Sequence, residues 1–129
     1  MKIRIFTTIS LLILALTGAS ITSADGIRKR VKFAKGAHSA SYSYSVVRGD
    51  RDTYIAGAKA NQTMTLQITS LEKNAVFQVQ TPGGNYLRGA GEEDDAMSFN
   101  GSLPEDGDYE IIVGGTRGNA SYKLTVTIK

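Results

Sequence analysis

The side chains that most often carry enzyme chemistry are scarce in this chain. Its 129 residues contain no Cys and one His, His38. Without Cys the chain can form neither a disulfide nor a thiolate metal site, and one imidazole excludes sites that need two. No serine stands in a Gly-x-Ser-x-Gly motif, and His38 lies in a Ser-rich entry to a predicted strand. These observations argue against a Ser-His-Asp hydrolase and make catalysis the less favoured class of function.

Two groups of acidic side chains could offer oxygen ligands to a hard cation. They are the run at residues 92–95 and the group Glu105, Asp106 and Asp108. Neither has the spaced ligands and central glycine of a calcium-binding loop. Paired carboxylates could also hydrolyse a glycoside, but that reaction needs a fixed separation and one raised pKa. We therefore expect solvated loop acids, with no metal and no other cofactor.

The first 24 residues have the pattern of a secretory signal peptide. Two basic residues precede an apolar stretch at residues 5–16, and small side chains at residues 22–24 suit a cleavage site. The apolar stretch is shorter than the roughly 20 residues that span a bilayer. We therefore predict a signal peptide at residues 1–24, no retained membrane anchor, and one exported domain at residues 25–129.

Removal of this leader changes the charge balance. Residues 25–129 carry 13 basic and 12 acidic side chains, so we expect no nucleic-acid partner. Five cations nevertheless cluster near the start of this part, namely Arg28, Lys29, Arg30, Lys32 and Lys35. Such a basic arm could contact anionic lipid, polysaccharide or nucleic acid. We favour a simpler interpretation, a soluble terminus that leads into an edge strand whose lysines discourage aggregation.

The apolar residues of the exported domain recur at every second position, which is typical of strands and not of helices. Residues 63–69 and 122–128 alternate between apolar and polar side chains, as half-buried antiparallel strands do. The other predicted strands are 30–33, 40–47, 52–56, 75–79, 96–99 and 109–113, and a weaker candidate covers 86–88.

Residues that favour turns separate these strands at the spacing found in sandwiches and barrels, for example at 48–50, 82–84 and 104–107. Two stacked sheets are the simplest way for a chain of this length to bury one face of each strand. We therefore predict an all-β fold, an antiparallel, jelly-roll-like β-sandwich of about eight strands. The segment 82–95 has the weakest pattern, and we expect it to be the most mobile loop.

Several motifs resemble those of a known family. They are Val-Lys-Phe-Ala-Lys-Gly at 31–36, Asp-Thr-Tyr at 52–54, the run 57–62 before a strand, Leu-Pro-x-x-Gly-x-Tyr at 103–109, and Thr-Arg at 116–117. This set resembles the periplasmic inhibitors of goose-type (g-type) lysozyme. It is also similar to secreted sandwich modules akin to bacterial pre-peptidase C-terminal domains. The resemblance spans nearly all of residues 25–129 and implies the same sandwich fold.

The resemblance also implies a mode of action. These inhibitors insert a loop edge into the substrate cleft of the lysozyme, using arginines from the last hairpin and an aromatic side chain from the loop before residues 52–54. Arg117 corresponds to the first arginine. The second arginine corresponds to about Ser121, and the aromatic residue to Gly49 or Asp50, so two of the three expected contacts are absent.

Two functions stay open. The first is a periplasmic or secreted, non-catalytic protein that inhibits a g-type lysozyme by inserting arginine-bearing loops into its cleft. Arg117 would be the central contact, supported by Arg48, Arg51 and Tyr122, which lie near the absent contacts in sequence. The second is a secreted, envelope-associated module that binds a polysaccharide or a protein, or serves as a scaffold, without inhibiting lysozyme.

Overall fold

Alternating apolar and polar residues give each strand one face that belongs in a core. In the computed structural model, which describes residues 26–129, eight strands form. They are β1 (Arg28–Arg30), β2 (Ser39–Val46), β3 (Asp52–Ala58), β4 (Thr63–Thr69), β5 (Ala75–Gln80), β6 (Ser98–Ser102), β7 (Gly107–Gly115) and β8 (Ala120–Ile128). This part of the chain has no helix that could cross a membrane. The predicted signal peptide at 1–24 lies outside the described residues.

The strands form two four-stranded sheets. The first sheet has the order β1-β3-β7-β5, and the second has the order β2-β8-β4-β6. Consecutive strands always belong to different sheets, so each connection from β1 to β8 crosses from one sheet to the other. Pairing of β2 with β8 and of β3 with β7 brings the two ends of the chain together, as in a jelly roll. The predicted all-β sandwich is confirmed.

The first strand differs from the prediction in position and direction. β1 covers Arg28–Arg30 instead of 30–33, and it pairs in parallel with β3, which makes it the one parallel pair among the described strands. Hydropathy alternation could not reveal this strand because its outward side chains are arginines. Arg28 binds Glu110 and Arg30 binds Asp108, each at 2.7 Å, and these acidic residues belong to β7, on the far side of β3.

The connection between β7 and β8 also differs from the expectation. The resemblance implied a hairpin of the last two strands, but β7 and β8 belong to different sheets, and the loop between them crosses over the end of the sandwich. Turn residues and strand alternation are the same for a hairpin and for a crossing loop. The sequence pattern therefore could not distinguish them.

The core lies between the inward faces of the two sheets. Its largest fully buried side chains come from both sheets, and among them are Tyr54, Phe77 and Tyr109 opposite Met64, Leu66 and Leu124. Burial of a large apolar side chain contributes about 1.5–3 kcal/mol relative to its exposure. The packing of the two faces is therefore the main source of stability.

The segment expected to be the most mobile loop follows the edge of β5. The amide of Val79 donates to the carbonyl of Ala90, and the amide of Leu87 donates to the carbonyl of Val79, both at 2.9 Å. Leu87 and Ala90 are buried. These contacts anchor the segment and cover an edge strand that would otherwise offer unpaired backbone groups.

Two leucine substitutions test the location of the core. We expect Leu124→Ala to lower the free energy of unfolding by roughly 2–5 kcal/mol, because it leaves a cavity between the sheets. Leu71→Ala removes the same atoms from a side chain that is 99% exposed, so we expect a change within about 0.5 kcal/mol. Urea unfolding measures both. Equal losses in the two variants would contradict the assigned core.

Candidate functional site

Three crossing loops meet at one end of the sandwich. They are residues 47–51 between β2 and β3, 70–74 between β4 and β5, and 116–119 between β7 and β8; we call this region the loop end. The amide of Arg48 donates to Oδ1 of Asn119 at 2.7 Å, and Nη2 of Arg117 donates to the carbonyl of Glu72 at 2.8 Å. Each loop is thus bonded to another, and the structure brings Arg48 and Arg117 to the same region.

The side chain of Asn74 holds the loop that carries Arg117. Asn74 is 3% exposed, and its amide donates to the carbonyls of Arg117, at 3.3 Å, and Asn119, at 3.0 Å. Its backbone carbonyl accepts from the amide of Thr116 at 2.9 Å. Gly118 completes the turn with a φ of 71°, which favours glycine. The backbone around Arg117 is therefore fixed before any partner arrives.

Arg117 is the side chain of the loop end best suited to an acidic partner. A guanidinium has five N–H donors, and the bond to the carbonyl of Glu72 orients it while using one of them. Arg117 and Arg48 are both exposed, and neither forms a salt bridge with another described residue. Both charges are thus available for carboxylates of another molecule.

Exposed apolar side chains lie beside these two arginines. Leu71, next to Glu72 in the chain, is 99% exposed, and Val47, next to Arg48, is 56% exposed. Arginine together with apolar surface is typical of the centre of protein–protein interfaces. Sequence reasoning missed both residues: Leu71 stands alone in a polar turn, and Val47 ends the predicted strand 40–47, where it is taken for part of the strand.

Arg51 borders the loop end but lies on another face. Its side chain crosses Gly114 on the outer side of the first sheet, where a Cβ on that glycine would lie 3.1 Å from Cδ of Arg51. It lines a cleft of about 260 Å³ together with Glu92 and Asp95. The structure therefore places Arg51 at the margin of the loop end, facing acidic residues of this same chain.

Tyr122, which the sequence analysis names as a supporting contact for a partner, is buried. It is 4% exposed and lies in phase with the inward residues of β8. Its hydroxyl donates to Oδ2 of Asp52 at 2.7 Å and accepts from the hydroxyl of Tyr54 at 2.6 Å. Oδ1 of Asp52 accepts from the amide of Ile27 at 3.0 Å. This network joins β8 to β3, one strand of each sheet, beneath the loop end. Tyr122 therefore helps to fix the strands from which the loops extend.

The pKa of Tyr122 reflects this environment. Burial raises the pKa of its hydroxyl well above the usual value, and the hydrogen bond that it donates to the carboxylate of Asp52 raises it further. Burial likewise raises the pKa of Tyr54. Both hydroxyls consequently stay protonated in the folded protein at pH values where an unfolded tyrosine ionises.

The positions of the two absent family contacts have other roles. Ser121 lies on the outer face of β8, where its hydroxyl bonds to that of Ser45 at 2.7 Å. Gly49 has a φ of 85°, and the amide of Asp50 closes this turn on the carbonyl of Val47 at 2.9 Å. A left-handed backbone disfavours an aromatic residue at Gly49.

The fold and the loop end together define a class of protein, a β-sandwich whose crossing loops are bonded to one another at one end. No protein-family model matches the chain, and no curated protein matches it. Solved structures do. Aeromonas hydrophila PliG, a periplasmic lysozyme inhibitor of g-type lysozyme, is 34% identical with a TM-score of 0.70, and the match covers 83% of this chain and 100% of that one. The chain belongs to this family of periplasmic inhibitors of g-type lysozyme.

Two further structures define the range of the similarity. A mutant of the PliG from Escherichia coli is 31% identical with a TM-score of 0.66, covering 81% of this chain and 99% of that one. The pre-peptidase C-terminal domain of a collagenase from Bacillus anthracis has a TM-score of 0.60 at 14% identity, covering 84% of this chain and 100% of that one. The second likeness concerns the fold alone.

Tyr122→Phe tests the buried network. At about pH 7 we expect a loss of about 1–3 kcal/mol in the free energy of unfolding, because the carboxylate of Asp52 loses a donor. Because the pKa of Tyr122 is raised in the folded protein, the protonated hydroxyl contributes its full stabilisation below about pH 10, the pKa of an unfolded tyrosine. Above that pH the stabilisation falls by up to about 1.4 kcal/mol per pH unit. The difference between wild type and variant should therefore shrink above about pH 10.

Urea unfolding at about pH 7 and about pH 11 gives both quantities. Tyr86→Phe is the matched control, because Tyr86 is 36% exposed and lies outside the network. A difference between wild type and Tyr122→Phe that grows with pH would contradict the assigned network.

Proposed function

We propose that this protein inhibits a g-type lysozyme by placing its loop end in the substrate cleft of the enzyme. Membership of the inhibitor family supports the class of partner. The observation that carries the mode of action is the exposed guanidinium of Arg117, oriented by the carbonyl of Glu72 on a loop fixed by Asn74.

Charge complementarity makes this surface suitable for such a cleft. Glycoside hydrolases of the lysozyme type act through carboxyl groups on either side of the scissile bond. A guanidinium forms short, charge-assisted and often bidentate bonds with a carboxylate. An arginine that enters the cleft therefore binds the groups that the substrate needs and excludes the substrate at the same time.

The rigid loops favour tight binding. Ordering a flexible loop on association costs free energy, and a loop already held by internal hydrogen bonds avoids most of that cost. A desolvated arginine at the centre of an interface contributes on the order of 2–4 kcal/mol. We assign this central position to Arg117, with Arg48, Leu71 and Val47 around it and Arg51 at the rim.

We further propose that the protein is non-catalytic and acts after export. The predicted signal peptide at residues 1–24 supports export to the periplasm or beyond. The inhibitors that it resembles are periplasmic. Its single histidine, His38, and its lack of Cys support a role in binding instead of turnover.

The test is an inhibition assay with purified protein on a g-type lysozyme that lyses a cell-wall suspension. We expect Arg117→Ala to weaken inhibition by about tenfold or more, since about 1.4 kcal/mol corresponds to a factor of ten. Lys123→Ala is the matched control, because it removes an exposed cation from the outer face of β8. It should inhibit as well as wild type.

Parallel assays with chicken-type and invertebrate-type lysozymes establish the selectivity, which we expect to favour the g-type enzyme. Far-ultraviolet circular dichroism and thermal unfolding verify that each variant is folded. Absence of inhibition by micromolar wild-type protein, or equal inhibition by wild type and Arg117→Ala, would refute the proposal.

A further inference from the structure

A second concave surface runs along the side of the sandwich, between β1 and β2. These strands are edges of the first and the second sheet, respectively. One part of this surface, which includes Ile27, Lys29, Tyr42 and Tyr44, has a volume of about 460 Å³. A continuation of about 530 Å³ shares Tyr42 and reaches Lys32. We call the whole surface the side groove. Both volumes lie in the range of about 300–1,000 Å³ typical of small-ligand sites.

Aromatic rings with fixed orientations line the side groove. The ring of Tyr42 packs on that of Tyr54, with centroids 5.2 Å apart, and its hydroxyl accepts from the amide of Lys32 at 3.0 Å. Tyr54 in turn packs edge-on against Tyr122, with centroids 6.4 Å apart. Tyr44 follows on the same face of β2 and is 51% exposed. The groove thus offers apolar ring faces whose positions are largely set before binding.

The charges around these rings are all positive. The parts of the chain that line the side groove include four basic residues and no acidic one. The two arginines of β1 pair with acidic residues of β7. Lys29 and Lys32 form no salt bridge with a described residue, and Nζ of Lys29 lies 5.9 Å from the ring centroid of Tyr42. Two unpaired ammonium groups therefore stand next to the aromatic surface.

We propose that the side groove binds an acidic glycan. The apolar faces of its sugar rings would pack on Tyr42 and Tyr44, and its carboxylates would pair with Lys29 and Lys32. The two parts of the groove share Lys29 and Tyr42, so a linear chain could span both. A site of this kind is separate from the loop end and would let the protein hold a polysaccharide while its loops bind a protein.

A single-stranded nucleic acid also combines flat rings with negative charge, but the charges of this protein favour it less. Such ligands carry one phosphate per nucleotide, and their binding depends on many cations along the backbone. Residues 25–129 have a nearly balanced charge, and only two unpaired lysines lie in the groove. A glycan with sparse carboxylates fits this arrangement better.

Titration calorimetry with tetragalacturonic acid tests the proposal, with its methyl ester as the uncharged form of the same sugar chain. We expect the acid to bind at least tenfold more tightly than the ester at low ionic strength. Tyr44→Ser and Lys29→Gln should each weaken binding of the acid by at least fivefold. Tyr86→Ser and Lys123→Gln are the matched controls, since they change an exposed tyrosine and an exposed lysine outside the groove.

Lysozyme inhibition by the loop end and glycan binding by the side groove can be tested independently of each other. Arg117→Ala should leave glycan binding unchanged, and Tyr44→Ser should leave lysozyme inhibition unchanged. Thermal unfolding confirms that each variant is folded, and Lys29→Gln tests the groove without altering its aromatic surface. Absence of binding by the acid, equal binding of the acid and its ester, equal losses in the control variants, or tighter binding of an oligothymidylate would each overturn the glycan site.

Discussion

The two sheets of this protein can bury their apolar faces only by packing them against each other. Each sheet has four strands and one apolar face, and the chain changes sheet at every connection. Close packing of the two faces therefore requires that the loops cross the ends of the sandwich. Three of these crossings, at residues 47–51, 70–74 and 116–119, meet at the same end. The surface that we assign to partner binding follows directly from how the core is built.

Polar groups inside the molecule keep that surface in place. Asp52, the first residue of β3, accepts hydrogen bonds from the amide of Ile27 and the hydroxyl of Tyr122. It thus connects the residue before β1 to β3 of the first sheet and β8 of the second. Asn74 performs a similar role for the loop that carries Arg117. Buried polar groups are costly unless they are bonded, and bonded groups accept few alternative arrangements. The shape of the loop end thus depends on buried residues beneath it.

Much of the fold could be predicted from the sequence, because half-buried strands have a plain signature. The strict alternation predicted β4 with its observed bounds and β8 with its observed end, two residues short at its start. β1 was misplaced because ion pairs, which hydropathy does not record, stabilise its outer face. The pairing of strands was also out of reach, since it depends on contacts between residues far apart in the chain, such as Ser39 and Thr127.

The site was predictable only in part, for a related reason. Arg117 was identified from a family resemblance and Arg48 from its nearness in sequence to an absent contact, and both lie at the loop end. Tyr122 was chosen for its nearness in sequence, although its phase with Leu124 already placed it on the inward face of β8. Asn74 carries no sequence signal, because its importance comes from carbonyls on a distant loop. Proximity along the chain is a poor guide to exposure in a strand, where successive residues face opposite sides.

The crystal structure of this protein bound to a g-type lysozyme tests the proposed role of the loop end most directly. We expect the loop end to enter the substrate cleft and the guanidinium of Arg117 to lie within hydrogen-bonding distance of an acidic side chain there. A complex in which the loop end faces solvent, with the substrate cleft of the enzyme open, would contradict it.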